Sequence, residues 1–294
     1  MIIVRLMGGL GNQMFQYAAA RNLAIKGKTE LKIDISAVLD RSPRKNFTFR
    51  DYELDVFKLD AEIATDAEIR EYLPEKLNFS FRVFQRLGLT KVIKEVGQNV
   101  NSRFFLFPSE AYLWGYWQNQ IYFNDIAPQI FEDFTLKEEL IHSILAETKE
   151  RLINDNSVAV HIRRGDYVSN SVINQRHGSC TIEYYQQAIS RMQGKVKDPV
   201  FYVFSDDLEW ARKSLSINAP SVFIEDREHK RSFEDLYLMS LCKHNIIANS
   251  SYSWWGAWLN QSHDKIVIAP QTWFNNKQEN RKRLDSLPNE WIII

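Results

Sequence analysis

Short apolar runs alternate with longer amphipathic segments over the second half of the chain. The runs that predict strands span residues 157–162, 200–204, 221–224, 245–248 and 265–268. Helical spacing is found over residues 182–192, from 206, over 233–241 and around 254–259. Strands that alternate with helices are typical of a parallel sheet covered on both faces. The second half is therefore predicted to be a Rossmann-like α/β domain.

The first half shows the same alternation in a less regular form. It predicts strands over residues 2–6, 31–35 and 112–117, and helices over 12–26, 66–72, 79–87, 121–131 and 136–153. Residues 36–101 are the least regular part, and we expect them to shape an acceptor site. A polar break at residues 154–156 predicts a domain boundary. The expected fold is thus two Rossmann-like domains, 1–154 and 155–294, that face one cleft.

Composition limits the kinds of partner. Lys plus Arg and Asp plus Glu each number 37, so the chain has no net charge and no general attraction to nucleic acid or an anionic membrane. Two cysteines without metal-ligand spacing favour a reducing compartment. No run predicts a signal peptide or a membrane span. We expect a soluble, cytoplasmic protein whose association with a membrane, if any, is made through its substrate.

Polar clusters follow four of the predicted strands. They are the GGLGNQ sequence at residues 8–13, the HIRRGD sequence at 161–166, the SDD sequence at 205–207 and the NSSYS sequence at 249–253. In an open parallel sheet, ligands bind outside the carboxyl ends of the strands. Three such clusters in one predicted sheet therefore indicate a ligand site.

The two arginines at residues 163 and 164 favour an anionic ligand. A guanidinium presents paired donors that match phosphate oxygens and stays charged at every relevant pH. An Arg–Asp ion pair that closes the turn at Gly165 explains the same residues equally well.

The glycine-rich turn at residues 8–11 predicts close approach of a ligand to the backbone. Its sequence is neither GxGxxG nor a P-loop, but the start of the helix that follows offers N–H groups to an anion.

The remaining clusters each have a structural alternative. Asp206 and Asp207 suit ribose hydroxyls but also suit a helix start, and a metal site is less favoured because no third ligand is spaced to join them. Ser232 and Asp235 fit a capping box. His161 either meets a ligand or is a buried, satisfied histidine. The NSSYS turn suits a phosphate, whereas the tryptophans after it suit a helix core.

With these clusters in order, the chain resembles the α-1,2-fucosyltransferases of glycosyltransferase family eleven. The resemblance covers nearly the whole length and rests on GGLGNQMFQYAAARNLA at 8–24, HIRRGDYV at 161–168, FSDD at 204–207 and FEDLYLMSLCKHNIIANSSYSWWGAWLN at 233–260. It implies a GT-B type fold, GDP-β-L-fucose as donor, the 2-hydroxyl of a terminal β-galactoside as acceptor, inversion at the anomeric carbon, and neither a cofactor nor a metal. The alternatives are another GDP-sugar, another linkage, or a nucleotide-sugar-binding module without turnover.

The resemblance also implies roles for single residues. Arg163 resembles the arginine that holds the β-phosphate of GDP, and Asn12 the asparagine that faces the reacting sugar. His161 and Asp235 resemble residues near the guanine, and the resemblance implies Arg163, Asn12 and His161 as the catalytic residues. The other residues expected to bind the donor are Gly9, Gly11, Gln13, Arg164, Asp166, Ser205, Asp206, Asp207, Asn249, Ser250, Ser251 and Ser253. Among them, Arg164 and Asp166 are expected to brace the loop.

Overall fold

The computed structural model describes residues 1–43, 48–73, 90–95, 97–141, 143–165, 171–225 and 231–294. The chain divides into two compact units, Met1–Lys137 and Glu138–Ile294. Each unit is built on one parallel sheet with helices, which confirms the predicted α/β class.

The first unit contains a five-stranded sheet in the order β3-β2-β1-β5-β4. Its strands are β1 (Ile2–Arg5), β2 (Leu31–Asp34), β3 (Glu62–Ile63), β4 (Val92–Lys94) and β5 (Ala111–Trp114). Its helices are α1 (Leu10–Gly27), α2 (Ser36–Leu39), α3 (Asp66–Tyr72) and α4 (Ala127–Asp133). Strand order reverses between β1 and β5, so the turns after these two strands lie beside a switch point.

The second unit contains a six-stranded sheet in the order β11-β10-β9-β6-β7-β8. Its strands are β6 (Asn156–Ile162), β7 (Pro199–Ser205), β8 (Ser221–Phe223), β9 (His244–Ile246), β10 (Val267–Ala269) and β11 (Ile292–Ile293). Its helices are α5 (Ser143–Asn154), α6 (Ser171–His177), α7 (Ile182–Gln193), α8 (Leu208–Ser214), α9 (Ser232–Leu241), α10 (Ser251–Trp258) and α11 (Lys277–Leu284). This is the doubly wound order, and its switch point lies between β6 and β9.

Strand β6 lies at the centre of the second unit. Val158, Val160 and Ile162 are fully buried in a hydrophobic cluster with residues of β7, α7 and β9. Such alternate positions project to one face of the sheet. The packing of this face aligns β6 with both neighbours, which brings the turns after β6, β7 and β9 to one edge.

Helix α5 belongs to the second unit. It packs against β6 and α9, and the carbonyl of the buried Leu152 accepts a hydrogen bond from Ser157 Oγ at 2.7 Å. The structural division at residue 137 therefore lies one helix before the boundary predicted at 154. The polar residues between α5 and β6 form a tight turn within one unit instead of a linker.

Several predicted elements differ in extent. Helix α1 begins at Leu10, so Gly11 lies in the helix, and it continues through Gly27 because Lys28 adopts the left-handed conformation that ends it. The aromatic strand ends at Trp114, after which Trp117 has a φ of 55°. The helix predicted over 121–131 is two short 3₁₀ turns followed by α4. Leu136 forms a bridge with Phe57 instead of starting a helix. The helix predicted over 79–87 lies outside the described residues.

The second sheet continues beyond the last predicted strand. Helix α11 and strand β11 follow the last predicted strand, and β11 extends the sheet by pairing with β10. The tryptophans of α10 are buried, which confirms their assignment to the core. In the described part of the chain, no helix combines the length and apolar character needed to cross a bilayer.

Candidate active site

The turns after β6, β7 and β9 lie together at the carboxyl edge of the second sheet. Ile162 is aligned with Ser205 across β6 and β7, and Val160 with Ile246 across β6 and β9. Three of the four predicted polar clusters therefore meet at the switch point of one unit. This edge is where a doubly wound sheet binds its ligand.

Arg163 is held by the aspartate that follows β7. Its Nη1 atom lies 2.8 Å from Asp206 Oδ2, and both side chains are 25% exposed. The other carboxylate oxygen, Asp206 Oδ1, accepts a hydrogen bond from the Arg164 N–H at 2.8 Å. A Cβ atom on Gly165 would lie 2.8 Å from Asp206 Oδ2, so glycine allows the turn to pack against this carboxylate. The ion pair predicted within this turn stays a prediction, because Asp166 lies outside the described residues; the pair with Asp206 orients the Arg163 cation, which keeps a quarter of its side-chain surface exposed.

Arg164 is braced from two sides. Its Nε atom lies 3.3 Å from Asp207 Oδ2, and its guanidinium stacks 4.0 Å from the centroid of the Trp210 ring. Asp207 also caps α8, because its Oδ1 accepts a hydrogen bond from the Trp210 N–H at 3.1 Å. Ser205 Oγ accepts from the Asp207 N–H at 2.9 Å. These contacts support the structural interpretation of Arg164 and Asp207, while Asp166 lies outside the described residues.

His161 is buried at the end of β6. Only 6% of the residue is exposed, and its Nδ1 atom has no hydrogen-bond partner within the described ranges. Burial, with a smaller effect of the nearby Arg163 cation, lowers the pKa of His161 to about 3. The ring is therefore neutral near pH 7. A satisfied core histidine was one of the two predicted alternatives, but the buried Nδ1 lacks the partner that this alternative requires.

The turn after β9 leads into α10. Ser250 is the N-cap residue, and its Oγ accepts a hydrogen bond from the Tyr252 N–H at 3.3 Å. The Tyr252 ring lies 5.5 Å from the His161 ring, and its hydroxyl donates to the Ser232 carbonyl, which ties the starts of α9 and α10 together. Ser250 and Ser251 thus lie at a helix N-terminus beside His161, where an anion is favoured.

Two residues of this turn are directed into the protein. The Asn249 amide donates to the carbonyls of His177 and Gly178 at 3.3 and 3.2 Å, and the residue is 3% exposed. Ser253 is fully buried, and its hydroxyl donates to the Ala248 carbonyl at 3.4 Å. These contacts favour a structural role for both side chains, and their predicted role in donor binding stays a prediction. Both side chains hold the turn that presents Ser250 and Ser251.

Asp235 lies in the first turn of α9 and is half-buried. The predicted capping box between Ser232 and Asp235 is wrong by one residue. Arg231 is the N-cap residue, and its N–H donates to Glu234 Oε1 at 3.1 Å. Asp235 is thus not needed as a cap.

The glycine-rich turn of the first unit is held by contacts within that unit. The N–H of Leu10, at the start of α1, donates to Glu53 Oε2 at 2.8 Å. A carboxylate at this position disfavours a second anion, which argues against the anion site predicted at this helix start.

Gln13 secures the same turn from inside. The side chain is fully buried, its Nε2 donates to the Gly8 and Asp51 carbonyls, and its Oε1 accepts from the Glu53 N–H at 3.0 Å. Gly11 is also buried, within α1, and Gly9 lies beside Arg50. These contacts place Gln13 and Gly11 in the framework of the first unit, and their predicted role in donor binding stays a prediction.

Asn12 marks the switch point of the first sheet. Its Oδ1 accepts a hydrogen bond from Gln118 Nε2 at 2.6 Å, and Gln118 follows β5. A Cβ atom on Gly8, which has a φ of 77°, would overlap the Asn12 amide. Gln118 has no motif that would identify it, because the two amides are 106 residues apart in the sequence. Glu53 was missed for the same reason, since it lies 43 residues from Leu10.

A metal site does not emerge from these residues. Within the ranges that the structure describes, no three His, Cys, Asp or Glu side chains converge as metal ligands. The adjacent acids Asp206 and Asp207 contact arginines instead. Independence from metal remains a prediction.

Comparison with known proteins identifies the family. Residues 76–294 match the model of glycosyl transferase family 11. The chain is 35% identical to an α-1,2-colitosyltransferase of Escherichia coli over all of this chain and 98% of that protein. It is 34% identical to the O-antigen biosynthesis glycosyltransferase WbnK of Escherichia coli, over 98% and 99% of the two chains. The galactoside 2-α-L-fucosyltransferase Sec1 of Mus musculus is 24% identical, over 92% of this chain and 67% of that protein.

Solved structures show the same fold. The fucosyltransferase NodZ from Bradyrhizobium aligns with a TM-score of 0.52 and 13% identity, over 87% of this chain and 91% of that one. NodZ structures include one soaked with GDP-fucose and one co-crystallised with GDP. A point mutant of Arabidopsis thaliana FUT1, in complex with GDP, aligns with a TM-score of 0.53 and 10% identity, over 91% and 70% of the two chains. Together with the two parallel sheets, these likenesses confirm the predicted GT-B type fold.

Proposed function

This chain belongs to glycosyl transferase family 11, and we propose that it transfers L-fucose from GDP-β-L-fucose to the 2-hydroxyl of a terminal β-galactoside. The reaction inverts the anomeric carbon and uses no metal. One observation carries the proposal: Arg163, His161 and the Ser250 turn meet at the switch point of the second sheet. A cation, a neutral imidazole and a helix N-terminus are together suited to a nucleoside diphosphate.

The chief task of the second unit is to stabilise the departing GDP. As the bond to fucose breaks, negative charge develops on the diphosphate, and fixed donors at that position lower the barrier. Arg163 supplies a guanidinium whose orientation is set by Asp206. The start of α10 supplies backbone N–H groups and the positive end of a helix dipole. Neither contribution needs reorganisation when the bond breaks.

His161 binds and does not transfer a proton. A group with a pKa near 3 is a weak base and is almost entirely unprotonated at pH 7, so it is poorly matched to general acid–base catalysis. Its buried Nδ1 and its contact with the Tyr252 ring suit a hydrogen bond to the purine. Asp235, in the first turn of α9, is the proposed carboxylate for the guanine edge.

Asn12 and Gln118 form the proposed sugar-facing pair in the first unit. Their amides offer donors and acceptors that match hydroxyl groups, and the Gln118 contact sets which way the Asn12 amide points. No general base is assigned. Fucose leaves through an oxocarbenium-like state, and stabilisation of the leaving group contributes more than deprotonation of the acceptor.

A second donor is favoured by one observation. The relative that is 35% identical over the whole chain is described as a colitosyltransferase. Colitose is L-fucose without its 3-hydroxyl, so the two donors present the same diphosphate to Arg163. A site that hydrogen-bonds the 3-hydroxyl rejects the deoxy sugar by about 10⁴-fold or more, whereas an apolar site discriminates only about 10²-fold. The ratio of kcat/KM for the two donors decides between them.

Release of GDP on mixing donor with lactose tests the proposal. The purified protein is incubated with GDP-fucose or GDP-colitose, with and without lactose, and GDP is measured over time. Turnover with GDP-fucose that requires lactose is the expected result. Tight binding of GDP-fucose without turnover on any galactoside would identify a binding module instead. Faster turnover with GDP-colitose would assign the second donor.

A further inference from the structure

An exposed apolar patch lies on the first unit around Tyr122. We define it as Val100, Phe105, Leu106 and Ile121, which are 46%, 37%, 77% and 50% exposed. The Phe105 ring stacks on the Tyr122 ring at 5.9 Å, and the Tyr122 hydroxyl accepts a hydrogen bond from the N–H of Asn101, which follows Val100. Ile121 precedes Tyr122. Tyr122 therefore contacts Phe105 directly, and the other three patch residues are each adjacent in the chain to Tyr122 or to a residue that contacts it.

The base of the patch is rigid. Tyr122, Phe104 and Trp117 are fully buried, and their rings lie 4.7 to 5.8 Å apart. The 3₁₀ turn Ser102–Leu106 rests on this base, and Phe107 ends it with a φ of 45°, a conformation that bulky residues rarely adopt. The exposed side chains are thus held outward by a packed core.

Cations flank the patch. Asn101 Nδ2 donates to the Lys94 carbonyl at 2.9 Å, and the Lys94 ammonium lies 4.8 Å from the centroid of the Trp114 ring. The guanidinium of Arg103 donates to the Thr90 carbonyl at 2.8 Å. Lys94 is exposed, while the carboxylate of the neighbouring Glu95 is turned to the N–H groups of Tyr116 and Trp117. The described residues 90–95 and 97–107 contain three basic residues and one acidic residue, and the basic Lys91 is paired with Glu110.

We propose that this patch docks the first unit on the surface of an anionic lipid bilayer. Exposed aromatic and aliphatic side chains with adjacent cations suit the boundary between headgroups and acyl chains. A second copy of the chain suits the patch less well. The four side chains expose on the order of a few hundred Å², whereas a stable dimer buries about 800 Å² on each partner.

Flotation with lipid vesicles tests this docking. The full chain is mixed with phosphatidylcholine vesicles or with vesicles containing equal parts of phosphatidylcholine and phosphatidylglycerol. The variant Leu106→Glu/Ile121→Glu changes two exposed patch residues, and Ile153→Glu, 49% exposed on α5 of the second unit, is the matched control. Transfer to soluble lactose is measured for all three proteins, so a loss of vesicle binding is separated from a loss of fold or of the proposed activity.

The wild type and Ile153→Glu should float with the phosphatidylglycerol vesicles and much less with phosphatidylcholine alone. The double variant should lose roughly tenfold or more of its partition coefficient while transfer to lactose is unchanged. Three results would overturn the proposal. They are no flotation of the wild type, equal flotation of the double variant, or a concentration-dependent dimer that only the double variant lacks.

Discussion

Arg163 and Arg164 are adjacent in the sequence, but their side chains have different surroundings. Arg163 pairs with Asp206 at the switch point, while Arg164 lies between Asp207 and the Trp210 ring. Replacement of Arg163 by Ala should lower kcat by about 10³-fold, because the charge that stabilises departing GDP is lost. Arg163→Lys should retain only part of the wild-type kcat, since an ammonium lacks the paired donors of a guanidinium.

Arg164→Ala is the control for Arg163→Ala, because it removes the neighbouring guanidinium. It should lower kcat by about tenfold at most and the free energy of unfolding by about 1 kcal/mol, since stacking on Trp210 and a partly exposed ion pair are lost. GDP release and thermal unfolding measure the two effects. Equal losses of activity in the two alanine variants would contradict the separate roles.

His161 should make stability depend on pH. Its folded pKa is about 3, far below the usual value near 6.5, so below pH 6.5 the unfolded chain binds more protons than the folded one. The contribution of the neutral His161 ring to the free energy of unfolding is fully present above pH 6.5 and is lost as the pH falls towards 3. Between pH 7 and 5 the loss from this residue should be about 2 kcal/mol.

Urea unfolding of the wild type and of His161→Asn at several pH values measures this dependence. His244, whose pKa is also lowered by burial, contributes in both proteins, so the difference between them isolates His161. If His161→Asn leaves the dependence of the unfolding free energy on pH unchanged, His161 is solvated or paired in solution.

At the scale of the element, the turn between β1 and α1 depends on glycine. Gly8 has a φ of 77°, and a Cβ atom there would overlap the Asn12 amide; Gly97 has a φ of 65°, with nothing within 4 Å of a Cβ atom. Both alanine variants should lose about 1 kcal/mol of stability through the left-handed backbone. Only Gly8→Ala should also lower kcat, by about tenfold or more, because it displaces Asn12. Equal kcat values in the two variants would remove Asn12 from the proposed site.

The elements that the sequence predicted well are those whose patterns are local. Strands β6 and β7 and helices α3 and α7 lie within one residue of their predicted bounds, because buried alternation and helical spacing are contained within each segment. The strand-end clusters also met as predicted, since parallel pairing aligns the carboxyl ends of neighbouring strands.

The contacts that the sequence did not predict are long-range. Glu53 caps α1 from 43 residues away, and Gln118 reaches Asn12 over 106 residues. No local pattern encodes such pairs. Asn249 and Ser253 were assigned to the ligand because a polar turn before a helix looks the same whether its side chains face outward or hold the turn. The direction in which each polar side chain of the turn points could therefore be determined only from the structure.

At the scale of the whole molecule, GDP should stabilise the protein through the second unit. A ligand at a hundred times its Kd adds about 2.7 kcal/mol to the free energy of unfolding, which raises the Tm of a unit of this size by about 5–10 °C. Arg163→Ala should remove most of this rise. Ile153→Glu, exposed on α5, should keep it. An equal rise in Arg163→Ala would place the diphosphate away from β6.

The linkage of the product tests the central claim most directly. The purified protein is incubated with GDP-L-fucose and lactose, with and without EDTA, and the trisaccharide is analysed by NMR. We predict α-L-fucose on the 2-hydroxyl of galactose, formed equally well in EDTA and absent with Arg163→Ala. Fucose at another position, dependence on a metal, or full activity of Arg163→Ala would contradict the account.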